Sequence, residues 1–377
     1  MQIISETQLD FSDVLIRPRR SSIDSRSKVD ITREYKFKWC PYVIKGTGIM
    51  QANMGTIGNF NVSRRMLDNG LFACLHKHHD VDELIGFYKE LIDMGDNVWR
   101  RCLLGIGLRD NGIDKLRQIN KELGIQVGIK FDVPNGDIPQ VKEKVIELRN
   151  EFPEMFIMVG NVVTGDITED LILSGADCVA VGIGGGSVCR TREKTGCGRP
   201  QLSAIIECAD AAHQVGGMIC SDGGITCPGD ICKAFGAGTD FIMIGGLFAG
   251  TDEAEGEIIE KFVANGDYDR ITIDETSYTF EPHLEKKKFK QFYGMSSTLA
   301  QEKFQGGMKK YRASEGVITE VPYTGKIDSV IEDMLGSVRS MMTYIGAKNL
   351  KNIPKQCVFY RVNNQRNHIF DTHTIGR

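Results

Sequence analysis

The stretch GIGGGSVCRTREKTG, residues 182–196, sets one cysteine between a run of glycines and a run of charge. A cysteine is more often a small buried hydrophobe than a reagent. Most of the other ten cysteines sit inside apolar runs and read as packing residues. Cys189 differs, because it follows Gly184, Gly185, Gly186 and Ser187 at the point where an apolar run opens into a loop. A thiol in an exposed, positively assisted setting is the best nucleophile a side chain offers near neutral pH. Thr191, two residues on, can share or relay a proton but is too weak a base to act alone. The glycine run can turn its carbonyls inward, which suits a monovalent cation better than an anion.

These residues need elements to position them. Short apolar runs recur at 48–53, 71–76, 101–106, 126–133, 155–161, 177–183, 217–222 and 240–246. Most are separated by stretches of helical spacing. GDITEDLILSG has Asp166 and Thr168 near a helix start and Gly175 as its stop, and PGDICKAFGAG places Pro228 in a first turn. Eight strands, most followed by a helix and many apolar on both faces, predict an α/β fold, a closed (β/α)8 TIM barrel. An open doubly wound sheet would carry fewer strands and a G-x-G-x-x-G after the first, where none stands. The run at 101–106 is the weakest of the eight, and GLRDNG after it reads as an irregular loop. The polar stretch 251–292 has no long apolar face and reads as a mobile functional loop or a disordered insertion, with Lys286, Lys287 and Lys288 solvated. The whole of 1–377 reads as one barrel domain, with a flap over about 251–325 and a closing helix over about 326–346.

Barrels of this kind place chemistry where strands hand over to loops at the C-terminal face. Those ends carry Asn53, the run His76–Lys77–His78–His79, Asp132, Asn161, the Cys189 segment, Asp222–Gly223–Gly224 and Gly245–Gly246. Glycine pairs after strands seven and eight let backbone N–H groups approach an anion, as a phosphate requires. The competing reading is two tight turns with no ligand. Asp222 is ill placed for phosphate but suits a ribose diol, which needs an acceptor, so the pair points to a nucleotide. The three histidines lack a carboxylate or cysteine at ligand spacing, which disfavours a metal there. Lys77 at a strand end could hold a carbonyl, a phosphate or a cofactor amide.

The totals agree with a globular enzyme or binding protein. The chain has 377 residues, 41% hydrophobic and 25% charged, with a net charge of −4 and no dominant basic block, so no nucleic-acid footprint is expected. Eleven scattered cysteines without a C-x-x-C pair argue against a disulfide framework and for a reducing, cytoplasmic setting. No apolar run reaches membrane-spanning length, and the N-terminus lacks a signal-peptide layout.

VGIGGGSVCRTREKTGCGRPQLSAIIECADAA, followed by SDGG and AFGAGTDFIMIGG, resembles the shared core of the IMP dehydrogenase/GMP reductase family. The likeness runs from LDFSDVLIRPRRSSIDSRSKVD to the C-terminal helix. No regulatory insert interrupts the early strands, and FYGMSS, YRASEG and VPYTGKI resemble the GMP-reducing branch. The resemblance implies NADPH-dependent reductive deamination of GMP to IMP and ammonia, through a covalent thioimidate on Cys189. Thr191 and Glu315 would handle the protons. The substrate positions it implies are Ser187, Asp222, Gly223, Gly224, Gly245, Gly246, Gly294, Met295, Ser296, Arg312, Ala313, Ser314, Glu315 and Gly316. For NADPH it implies Lys77, Asp132, Val133, Pro134, Ile183, Gly184, Met295, Tyr311 and Arg312, with Ser25, Arg26, Ser340, Met341, Met342 and Thr343 from a neighbouring subunit. It also implies a homotetramer, and a potassium ion on carbonyls of Gly184, Gly186 and Cys189 with Arg192 close by.

Four positions depart from the family pattern. Gly185 stands for a proline, Arg190 for a threonine, Gly55 for an aspartate and Pro134 for a small residue, and the 255–290 loop is longer than usual. The rival functions are an IMP dehydrogenase without regulatory repeats, a non-catalytic purine-nucleotide-binding paralogue, and a barrel isomerase handling a phosphoribosyl group. The first would need a flap Arg-Tyr pair that FYGMSSTLA does not offer.

Overall fold

The computed structural model describes residues 1, 3–108, 111–272, 278–311 and 313–363. Eight strands fall within the eight apolar runs or one residue past them: β1 (Ile49–Gln51), β2 (Ala73–Leu75), β3 (Cys102–Ile106), β4 (Ile129–Asp132), β5 (Ile157–Val162), β6 (Cys178–Val181), β7 (Met218–Asp222) and β8 (Phe241–Ile244). They pair in parallel in the order β1-β8-β7-β6-β5-β4-β3-β2. A parallel bridge between Met50 and Phe72 joins the two ends, so the sheet is the closed barrel that the alternation of strands and helices predicts.

Successive strand residues face opposite ways. One set, including Ile49, Leu75, Ile129, Phe131, Val179, Val181, Ile219 and Ile242, packs outward beneath the helices. The other, Met50, Cys74, Leu103, Met158, Cys178, Ala180, Cys220 and Met243, fills the barrel as a separate apolar cluster. Tyr35, on a strand (Arg33–Lys36) that pairs with Val43–Gly46, stoppers that cluster by stacking on Phe241 at 4.4 Å. Lys130 and Asp132 have the inward parity of β4.

Helices start and stop where local chemistry dictates. Gly165–Leu173 is followed by Gly175 at φ +125°, and Pro228 occupies the first turn of Pro228–Gly236. Helix Ile327–Ile345 buries Ile331, Met334, Val338, Met342 and Ile345 along one face and completes the outer layer. All eleven cysteines are free thiols; seven are buried, Cys197 and Cys227 are exposed, and Cys189 and Cys357 lie between.

The expectation for 251–292 needs correcting. Of its two alternatives the disordered insertion is overturned, because the described residues form a long ribbon of β9 (Ile258–Thr272) and β10 (Tyr278–Tyr293), extended at its base by β11 (Ile318–Pro322). A ribbon with solvent on both sides closes its backbone hydrogen bonds in the ladder and needs no buried face, so the absence of an apolar stripe was the wrong test. The pairs Phe262–Lys286, Ala264–Leu284 and Arg270–Phe280 put Phe262, Leu284 and Phe280 on one face, 69, 59 and 58% exposed. Lys286 and Lys288 reach Glu260 across the ribbon and Lys287 pairs with Glu285, all at exposed sites.

Candidate active site

Past the end of β6 the chain turns sharply. Gly182 has φ +144°, and a Cβ there would lie 2.1 Å from the Asp222 carbonyl oxygen, so β6 and β7 approach this closely only around glycine. Gly184 follows at φ +79°, and the Cys189 N–H donates to the Gly186 carbonyl at 3.0 Å, closing a turn that presents the thiol. The next residues form a short helix, Thr191–Thr195.

The second half of the site arrives from far along the chain. Gly316 forms an antiparallel bridge with Cys189, the Val317 N–H donates to the Val188 carbonyl, and the Arg190 N–H donates to the Glu315 carbonyl at 2.6 Å. This pairing brings Glu315 to the cysteine loop. The Cys189 thiol donates to Thr191 Oγ1 at 3.2 Å, and the Thr191 hydroxyl donates to Glu315 Oε2 at 2.7 Å. A thiol, a hydroxyl and a carboxylate thus stand in one hydrogen-bonded line, which can carry a proton between carboxylate and sulfur.

Beside the thiol lies a cradle with no side-chain bulk. A Cβ on Gly246 would meet the Ser187 hydroxyl at 3.2 Å, and one on Gly223 would meet the Gly186 nitrogen at 3.2 Å. Ser187, Gly223, Gly224, Gly245 and Gly246 therefore lie together at the ends of β6, β7 and β8, around a space without side-chain bulk. Asp222 ends β7 next to it. Its Oδ2 accepts from Asn161 Nδ2 at 3.0 Å and from Lys130 Nζ at 2.9 Å. Asn161 Oδ1 is buried without a partner among the described residues, an orphaned acceptor of the kind a ligand donor satisfies.

Lys130, which the sequence reading passed over, lies at the floor of this site. Its ammonium is 2% exposed and also touches Asp132 Oδ1 at 2.8 Å and Asn53 Oδ1 at 3.2 Å. Desolvation pushes the ammonium's pKa down, but the two aspartates more than offset this and hold it protonated above its ordinary range. Desolvation likewise pushes Asp132 up, and Lys130, with Lys77 beyond, overcomes it and holds the carboxyl below its usual range. The signal was available: a lysine inside an apolar strand at the same parity as the strand-end aspartate.

The histidine run stacks. His76 lies on His79 at 3.7 Å, His79 on Phe60 at 4.3 Å, and His78 on Phe304 at 4.2 Å. Burial, with His79 and His78 adding, pushes His76 down to about 3. Among the described residues no trio of His, Cys, Asp or Glu converges to hold a metal. Phe304 also occupies the space a side chain at Gly55 would need, since a Cβ there would lie 2.8 Å from the ring. Met295 sets its sulfur 3.1 Å from the Gly55 nitrogen.

The remaining predicted positions are placed as follows. Gly294 lies against the Val188 carbonyl and Ser296 against Gly316, while Ser314 donates to the Gly316 carbonyl and Ala313 directly precedes it in the chain. Val133 is buried beside Pro134 at the end of β4, and Ile183 follows β6. Tyr311 is exposed, and Arg312 lies outside the described residues. Arg192 is tied by its side chain to Asp10 and to the Arg199 carbonyl, so only its backbone oxygen is available to an ion. Arg26, which follows Ser25, lies near helix Ile327–Ile345, where Met341 and Met342 are core residues and Ser340 and Thr343 are their polar neighbours. No hydrogen bond among the described residues ties this group to Cys189, Thr191 or Glu315.

Barrel and site together define a (β/α)8 protein whose C-terminal face sets a half-buried thiol beside a glycine-lined cradle. A sequence model of the IMP dehydrogenase / GMP reductase domain matches residues 8–270 and 273–370. The chain belongs to the IMP dehydrogenase/GMP reductase family. It is 43% identical over 370 residues to the GMP reductase of Aliivibrio salmonicida, covering 98% of this chain and 99% of that one. It is 43% identical over 368 residues to GMP reductase 2 of Homo sapiens, with 98% of each chain covered, and 44% identical over 369 residues to GMP reductase 1 of Mus musculus. No helix among the described residues is long and apolar enough to cross a membrane.

Proposed function

We propose that this chain is a GMP reductase, converting GMP to IMP and ammonia with NADPH as reductant. The observation that carries the reading is the line from Cys189 Sγ through Thr191 Oγ1 to Glu315 Oε2, set beside the Ser187–glycine cradle. The cradle would take the 5′-phosphate and the free side of Asp222 the ribose, bringing purine C2 to the thiol. Cys189 loses its proton to the Thr191–Glu315 line, and its sulfur adds to C2. The same line returns a proton to the exocyclic amine, which leaves as ammonia, and the C–S bond is retained as a thioimidate. NADPH, when bound, supplies the hydride for C2. Cys189 then departs as thiolate, the C–S bond breaks, and IMP is free. A water-poor pocket protects the thioimidate from hydrolysis, which would give the oxidised base instead.

Lys77, Asp132, Val133, Pro134, Ile183, Gly184, Met295, Tyr311 and Arg312 are the residues proposed to hold NADPH, with Ser25, Arg26 and Ser340–Thr343 contributed by a neighbouring copy in a homotetramer. The orphaned Asn161 Oδ1 and the Asp132 carboxylate match the donor-rich edges of a nucleotide. Backbone carbonyls of Gly184, Gly186 and Cys189, with Arg192 close by, would hold a potassium ion, since hard oxygen donors suit it better than a transition metal. The test is a pair of assays on purified protein. GMP with NADPH should lose the reduced-cofactor absorbance, and Cys189→Ala should abolish that loss while still binding GMP. Formation of XMP from IMP and NAD, with no reaction of GMP, overturns the reading in favour of a dehydrogenase.

A further inference from the structure

A buried lysine at the floor of the site has no role in the chemistry above. Its ammonium carries three N–H donors. Asp132 Oδ1 at 2.8 Å, Asp222 Oδ2 at 2.9 Å and Asn53 Oδ1 at 3.2 Å take all three. It has no donor left for a ligand, so it does not bind one directly. What it does is join the ends of three strands, β1, β4 and β7, through one charge. Asp222 Oδ2 is doubly engaged, by Lys130 and by Asn161, whereas Oδ1 makes no hydrogen bond among the described residues. Two carboxylates brought this close inside a barrel repel each other. The ammonium between them removes that penalty and fixes the rotamer of each.

We propose that Lys130 is a positioning residue that holds Asp222 as an oriented acceptor for the substrate's ribose hydroxyls and ties it to the cofactor-side carboxylate Asp132. The inference rests on the assignment of GMP to the cradle. It makes ribose recognition depend on a side chain that never touches the sugar. Loss of one charge-assisted hydrogen bond to the diol is worth roughly tenfold in affinity.

The experiment measures equilibrium binding of GMP and 2′-deoxy-GMP by titration calorimetry in the Cys189→Ala background, where no turnover intervenes. The Lys130-intact protein should prefer GMP by roughly tenfold or more. Adding Lys130→Met should bring the two affinities together, chiefly by weakening GMP. In the otherwise native enzyme, Lys130→Met should raise KM for GMP and for NADPH with kcat changed far less. A folded Lys130→Met protein that still discriminates between the two nucleotides overturns the proposal, as does a Lys130-intact protein that does not discriminate at all. If Lys130→Met fails to fold, Lys130→Met/Asp132→Asn removes a positive and a negative charge together, and the same loss of discrimination is required of it. Turnover of GMP by the unmutated enzyme is the control: its absence sinks the functional assignment, and its presence with unchanged discrimination sinks only the role of Lys130.

Discussion

Glu315 accepts a 2.7 Å hydrogen bond from Thr191 across 124 residues of chain. The contact exists because Gly316 pairs with Cys189 backbone to backbone, so the flap delivers a carboxylate to the barrel mouth as a β-bridge rather than by side-chain reach. A Cβ on Gly316 would meet the Ser297 nitrogen at 2.6 Å, which keeps that approach open only to glycine.

Breaking the line should slow chemistry without weakening substrate capture. Glu315→Gln and Thr191→Val are each expected to lower kcat by roughly a hundredfold or more, with KM for GMP changed by only a few-fold. Because both act on one proton, the double variant should lose little more than either single one. Steady-state rates of NADPH oxidation check this, and additive losses would count against a shared relay.

The glycines around the thiol are not equivalent. Gly185 has ordinary φ, and a Cβ there meets its first neighbour, Gln201 Oε1, at 3.4 Å. Gly185→Ala should therefore shift stability by no more than about 1 kcal/mol in either direction. Gly182→Ala, at φ +144° and 2.1 Å from a carbonyl oxygen, should cost about 3 kcal/mol or more. Thermal melts of the two variants give the comparison, and equal melting temperatures would contradict it.

His76 makes the fold sensitive to acid. Its pKa is pushed down to about 3 from 6.5, so the unfolded chain binds a proton that the folded one refuses. The stability this site contributes is complete above pH 6.5 and is lost as pH falls from there toward 3, by up to about 1.4 kcal/mol per pH unit for one proton. His79 is shifted the same way by burial. His76→Phe keeps a ring to stack on His79 and should flatten the dependence of melting temperature on pH below neutrality. An unchanged slope would show that His76 is not its source.

Shortening the ribbon tests whether it serves the cofactor. Joining Val263 to Glu285 through an Asn-Gly turn keeps the paired base of β9 and β10 and the whole of β11. The expected outcome is a folded enzyme with a raised KM for NADPH and an unchanged KM for GMP. Identical cofactor kinetics would show that the outer ribbon does something other than cover NADPH.

The barrel was legible because its signal is local: eight apolar runs of strand length, each bounded by glycine or a polar end, survive any uncertainty over boundaries. The Cys189 loop and the glycine pairs were legible for the same reason. What sequence could not place was contact between distant segments, such as Glu315 on Thr191, without a likeness to a known family to suggest it. Lys130 was overlooked because a lysine in an apolar strand reads as an interruption until its parity with Asp132 is noticed. The ribbon was hidden because its few apolar residues, such as Phe262, Phe280 and Leu284, are interspersed with charged ones and face solvent rather than a core.

The distribution of sulfur in this molecule also sets its reactivity toward electrophiles. Seven thiols are sealed in packed layers, and burial pushes those of Cys40, Cys102 and Cys232 up to about 11, 12 and 12. Cys357, half-buried, is pushed up to about 12 as well. An alkylating reagent applied to the native protein thus meets Cys189, Cys197 and Cys227 as its accessible targets, and of these Cys189 alone lines the cradle. Nucleotide in the cradle would shield one adduct and spare the other two. The oddly large cysteine content, which in another fold would blur such an experiment, here leaves a count of labelled sites that reads directly as occupancy.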